Sequence, residues 1–135
     1  MLYESTRGKY KGVSFSDVIK MGISPDGGLF VPSEDVEISK DELLSMVNMD
    51  YKQRAVTIFK YFATDFSDEE IKDCVDKAYS TEKFDDASIT PVKYVSNAIS
   101  VWELWHGPTC AFKDLALQIL PHFMTTAIKK TNEKE

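Results

Sequence analysis

The 135-residue chain is 43% apolar and 12% aromatic, enough to build a buried core and to argue against disorder. Its formal net charge of −6 argues against a general nucleic-acid or membrane-surface binder, which needs a basic patch. No apolar run approaches the roughly 20 residues of a membrane span, and the opening MLYESTRGKYKG lacks the apolar stretch of a secretory signal.

The first 15 residues show little period and predict a short strand or an extended arm. Ser14 or Ser16 is placed to cap a short helix that ends at Gly22, a good residue just beyond a helix. SPDGGLFVP (24–32) predicts a turn over residues 25–28 and then a short strand stopped by Pro32. Two capping boxes follow, Ser39 with Glu42 and Ser67 with Glu70, each opening a helix. Between them Ala55, Ile58, Phe59 and Phe62 recur at helical spacing. Residues 39–80 therefore predict three helices whose apolar stripes share a core. On the last of these, Glu69–Asp73 is a repulsive pair and Asp73–Lys77 an attractive one.

Near residue 85 the pattern changes. PVKYV and AISVWELW predict paired strands joined at Ser96-Asn97. Beyond Gly107-Pro108, residues Ala116, Ile119, Leu120, Phe123 and Ala127 mark one helical face, and Pro121 inside it predicts a kink or a split. The chain closes on TNEKE, read as a solvated tail. The fold class expected is α/β. Residues 1–85 form a mostly helical α+β domain with short strands, and 86–135 begin a second α/β domain.

Cys74 and Cys110 are the only cysteines and form no CxxC pair, so a zinc site is not expected and reduced thiols in the cytoplasm are the simplest reading. Cys110 reads as a small buried residue, and His122 as a partly exposed polar one.

HGPTCAFKD (106–114) stands out. Pro108 fixes its own φ and steers Gly107 away from helix, making a rigid corner. Thr109 is placed as an N-cap, with a helix starting soon after. Lys113 then falls near the first helical turn. There the helix dipole and desolvation beside Phe112 and Trp105 disfavour an ammonium, the direction that nucleophilic amine chemistry needs. Asp114 opposes this in part. From these residues alone a reactive amine and an ordinary surface lysine both stand.

HGPTCAFKDLALQ resembles the cofactor-lysine motif of the threonine synthase family, HGPTxAFKDxALQ. STRG at 5–8 and SPDGGLFVP at 24–32 resemble the same family's N-terminal signature. The three ordered blocks span residues 3–118. Departures fall at Cys110, often Leu in the family, and at Trp105, often Phe. The resemblance implies a lyase that uses pyridoxal 5'-phosphate to convert O-phosphohomoserine and water to threonine and phosphate. Lys113 matches the lysine that forms a Schiff base with the cofactor, and Phe112 the residue against the cofactor ring. His106, Gly107, Pro108, Thr109 and Asp114 match positions in the cofactor's vicinity. Arg7 matches a residue that contacts the substrate phosphate or holds the N-terminal arm. No Gly-rich phosphate cradle is evident, so the expectation is an N-terminal fragment, inactive alone. Its last helix should expose an apolar face, with self-association or partial disorder after about residue 110. A threonine-synthase-like phospho-lyase and a non-catalytic helical binding module are the alternatives.

Overall fold

A computed structural model describes residues 1–131. Of the closing TNEKE only Thr131 is included, and the rest of the expected tail lies outside the described residues. The architecture is mixed, mostly helical with short strands. The N-terminal arm forms β1 (Tyr3–Ser5), which pairs antiparallel with β2 (Phe30–Pro32) in the register Tyr3 to Pro32 and Ser5 to Phe30. Between them lies α1 (Phe15–Met21). Its N-cap is Ser14, whose hydroxyl oxygen accepts from the Asp17 N–H, and its C-cap is Gly22 at φ 68°. A glycine there meets no L-residue penalty for the left-handed turn.

Three helices follow: α2 (Lys40–Ser45), α3 (Tyr51–Phe62) and α4 (Asp68–Ala78). Both expected capping boxes form, at Ser39–Glu42 and Ser67–Glu70. A third, at Asp50–Gln53, opens α3 and went unread in the sequence. The strands β3 (Val92–Ser96) and β4 (Ile99–Trp102) make an antiparallel hairpin with an irregular register near Tyr94. Every residue of the hairpin is exposed, unlike the helices.

Pro121 splits the final helix. The short α5 (Asp114–Leu117) precedes α6 (Leu120–Lys130), where Pro121 sits in the first turn and costs no internal hydrogen bond. The apolar face expected to lie open is closed over Phe123 and Ala127 and stays exposed only at its start, where Leu117 and Leu120 are 46% and 39% exposed. Phe123 is 2% exposed and Ala127 fully buried, and Phe123 meets Phe15, Phe59 and Phe66 edge-on at ring separations of 5.3, 5.0 and 5.6 Å. The inner side of the helix packs against α1 and α4, where the N-terminal helices offer an aromatic socket. The segment after residue 110 is folded through α5 and α6. Tyr79 fastens it from below, its hydroxyl donating to the Leu115 carbonyl at 2.7 Å.

The hairpin and the corner also expose large apolar side chains, at Tyr94, Trp102 and Phe112. Among the described residues no helix is long and apolar enough to cross a membrane.

Candidate functional site

The corner at 106–114 leaves β4 and enters α5. Its first residue, His106, is held on both ring nitrogens: Nδ1 lies 2.5 Å from Asp85 Oδ1 and Nε2 lies 2.8 Å from Glu103 Oε2. The His106 carbonyl also accepts from the Asp85 N–H, and Trp105 stacks near the ring at 5.7 Å. The bonds to Glu103 and then Asp85 raise the imidazole above its ordinary value and favour imidazolium. His106 is thus a clasp between the segment after α4 and the end of the hairpin.

Thr109 does not act as the helix cap expected from sequence. Its N–H donates to Asp114 Oδ2 at 2.8 Å and its hydroxyl to Asp114 Oδ1 at 2.9 Å. A carboxylate five residues on is a better partner for the hydroxyl than a backbone N–H, since charge-assisted bonds are roughly twice as strong. Lys113 occupies the N-cap position of α5, with no side-chain cap. Asp114 is buried, at 1% exposure, and burial alone would raise its carboxyl. The bonds from Thr109 and the Ala111 segment more than offset this and hold it below the ordinary range. Gly107 makes the close approach possible: a Cβ there would stand 2.5 Å from Asp114 Cβ.

Cys110 takes φ 57°, the left-handed turn that reverses the chain, and is exposed rather than buried as the sequence implied. Phe112 is 69% exposed and Lys113 is exposed beside it. The desolvation expected from Phe112 and Trp105 is therefore not supplied by this chain, and α5, at four residues, contributes little dipole. What the chain does supply is direction. The Lys113 carbonyl accepts from the Ala116 and Leu117 N–H groups at 3.0 and 2.9 Å, so the residue's backbone is fixed while its amine faces out.

Arg7 stands apart from the corner's hydrogen-bond network. Its Nη1 donates to the Asp26 carbonyl at 3.1 Å, which holds the N-terminal arm to the PDGG turn. Around it the two upstream blocks close on each other, a contact that sequence reasoning missed. Ser5 Oγ donates to Asp26 Oδ1 at 2.7 Å, the Gly28 N–H donates to the same oxygen at 3.0 Å, and the Lys9 N–H reaches Oδ2 at 3.3 Å. These bonds, led by Ser5, lower the Asp26 carboxyl to about 2. Leu29 and Thr6 exchange two further bonds across the same join.

Among the described residues no group of three His, Cys, Asp or Glu side chains converges as a metal site. An exposed primary amine on a fixed backbone, flanked by an open aromatic ring, is chemically suited to an aldehyde cofactor, and Lys113 with Phe112 would hold one.

Three comparisons bear on this arrangement. The family model described as Threonine synthase N terminus matches residues 2–79. A threonine synthase of Methylobacillus glycogenes is 33% identical over 98% of this chain and 30% of its own length, and one of Schizosaccharomyces pombe is 35% identical over 96% and 25%. In structure the chain is similar to the pyridoxal-phosphate-bound threonine synthase of Brucella melitensis, with a TM-score of 0.91 and 30% identity over 99% of this chain and 29% of that one. The chain thus spans under a third of the length of these relatives.

Proposed function

Since the chain belongs to the threonine synthase N-terminus family, we propose that the protein acts as a pyridoxal-phosphate-dependent lyase that converts O-phosphohomoserine and water to threonine and phosphate. The observation that carries this reading is the exposed Lys113 amine, set on a corner whose polar groups are satisfied internally. When bound, pyridoxal phosphate supplies an electron sink for charge at the substrate's carbons. Lys113 Nζ would hold the cofactor's aldehyde carbon and, as a free amine, would move protons at the substrate's Cα and Cβ. Phe112 offers an apolar ring beside the amine. Thr109 and Asp114 are engaged with each other, and His106 with Asp85 and Glu103, so their contribution is to hold the corner.

In the same reading residues 1–85 form the N-terminal unit and 86–135 begin the cofactor domain, with α6 from the second segment completing the first one's core. The cytoplasm is the proposed compartment, and the chain corresponds to 30% of the Methylobacillus relative's length and 29% of the Brucella chain. The 135-residue chain alone is then inactive.

Borohydride reduction of the full-length protein with pyridoxal phosphate, followed by peptide mapping, tests the assignment. A reduced pyridoxyl label on Lys113 is expected. A label confined to another lysine, or threonine release by the 135-residue chain alone, overturns the reading.

A further inference from the structure

Asp114 has no place in the chemistry above, yet it is the most enclosed charged side chain of the corner, at 1% exposure. Both of its oxygens are occupied by Thr109, the backbone N–H on Oδ2 and the hydroxyl on Oδ1. A carboxylate so enclosed and so fully hydrogen-bonded cannot exchange protons with a substrate outside, which removes it as a general base. Its surroundings are shaped to receive it. Gly107 leaves the space, since a Cβ there would meet Asp114 Cβ at 2.5 Å, Oδ2 at 2.7 Å and Cγ at 2.9 Å. Cys110 turns through φ 57°, with its N–H donating to the Gly107 carbonyl at 3.1 Å, and brings Thr109 over the carboxylate.

The helix that follows cannot provide this order by itself. Four residues are far too few for a stable isolated helix, and α5 has no side-chain cap. Lysine's long stem is flexible, so the protein can set the amine's direction only through the backbone at Lys113. That backbone lies between the Asp114 N–H, which donates to the Ala111 carbonyl at 3.0 Å, and the α5 turn closed on its own carbonyl.

We propose that Asp114, seated on Gly107 and held by Thr109, is a positioning residue that aims the Lys113 amine. This rests on the reading of Lys113 as the cofactor lysine. Asp114 faces inward and Lys113 outward from adjacent positions, so freeing the first lets the second swing.

Full-length protein carrying Asp114→Asn, Thr109→Val, Thr109→Ser or Lys113→Ala is titrated with pyridoxal phosphate. The readouts are the visible band of the cofactor–lysine bond, its pH midpoint and the borohydride label at Lys113. Asp114→Asn turns one acceptor into a donor facing Thr109 and weakens attachment about tenfold, with a shifted midpoint. Thr109→Val changes both in the same direction by less, and Thr109→Ser restores wild-type behaviour. The double variant Thr109→Val/Asp114→Asn is no worse than Asp114→Asn, since the two act through one contact.

Lys113→Ala separates the two readings. If it keeps the band, the assignment of the cofactor lysine fails. If it loses the band while Asp114→Asn keeps wild-type affinity and midpoint, only the positioning role fails. Should Asp114→Asn not fold, wild-type attachment and midpoint in Thr109→Val overturn the proposal.

Discussion

The knot around Asp26 and the corner around Asp114 share one construction. Each has a carboxylate, a hydroxyl that donates to it, and a glycine whose missing Cβ admits the contact: Ser5 and Gly28 in the first, Thr109 and Gly107 in the second. They differ in what is left over. In the knot, even Arg7 is turned back onto the Asp26 carbonyl, and the result is a fastening between the arm and the turn before β2. In the corner, Thr109 and Asp114 satisfy each other, which leaves Phe112 and Lys113 facing solvent. The same device locks one segment and presents another. Conspicuous residue types therefore do not reveal their use until their partners are counted.

The largest expected effect tests whether these regions are separate at all. Phe123 follows the corner in the chain but packs against Phe15, Phe59 and Phe66 of the N-terminal unit. Phe123→Ala should cost about 3–5 kcal/mol in chemical denaturation, as for a buried aromatic in a close-packed core. Amides of β1 and β2 should lose exchange protection together with those of α6. If the strands stay protected while α6 opens, the knot and the corner are independent units and the comparison is between two domains.

Next come the two glycines. In Gly107→Ala the new Cβ strikes a buried side chain that cannot turn away, so roughly 3 kcal/mol is expected. In Gly28→Ala it strikes Ser5 Oγ at 2.2 Å, which can rotate but only by leaving Asp26, and about 2 kcal/mol is expected. At matched stability only Gly107→Ala should slow pyridoxal-phosphate attachment to Lys113 in the full-length protein. Equal slowing by both would mean that the corner presents its lysine no more specifically than the knot does.

Local rules made most of the fold legible. Ser14, Ser39 and Ser67 cap helices through atoms three residues away, and the sequence window contains both partners. Asp50 with Gln53 obeys the same spacing and could have been found by admitting Asp and Gln to the pattern. Contacts between distant segments were not legible. Nothing in STRG says that Ser5 will meet Asp26, and nothing in the stripe of α6 says that Phe123 will meet Phe15. At the corner the failure had another cause. Thr109 fits the N-cap rule, but that rule is silent about a competing carboxylate at position 114. Cys110 looked like packing because its left-handed φ leaves no trace in residue type. The motif singled out the corner, and the structure shows how Gly107, Thr109 and Asp114 are held together in it.

The smallest expected effects are in pH dependence, and they separate the knot from the corner by the limb on which each responds. Asp26 is held near 2, below the ordinary value of about 3.9, so its contribution is complete above that value and is lost as pH falls towards 2. Asp26→Asn should flatten this acid limb and leave the alkaline side unchanged. His106 is shifted the other way. Glu103 and Asp85 raise it, with Asp86 a further carboxylate nearby, so imidazolium is favoured in the folded state. Its contribution is complete below about 6.5 and is lost as pH rises through the higher folded value. His106→Gln can keep one hydrogen bond but carries no charge, so denaturation midpoints between neutral and mildly alkaline pH should lose their downward slope. Because His106 joins the segment after α4 to the end of the hairpin, the wild-type loss should appear first as faster amide exchange at Asp85 and Glu103. An unchanged slope in His106→Gln would mean that the imidazole is neutral in the clasp and that its two carboxylates are spaced by shape rather than by charge.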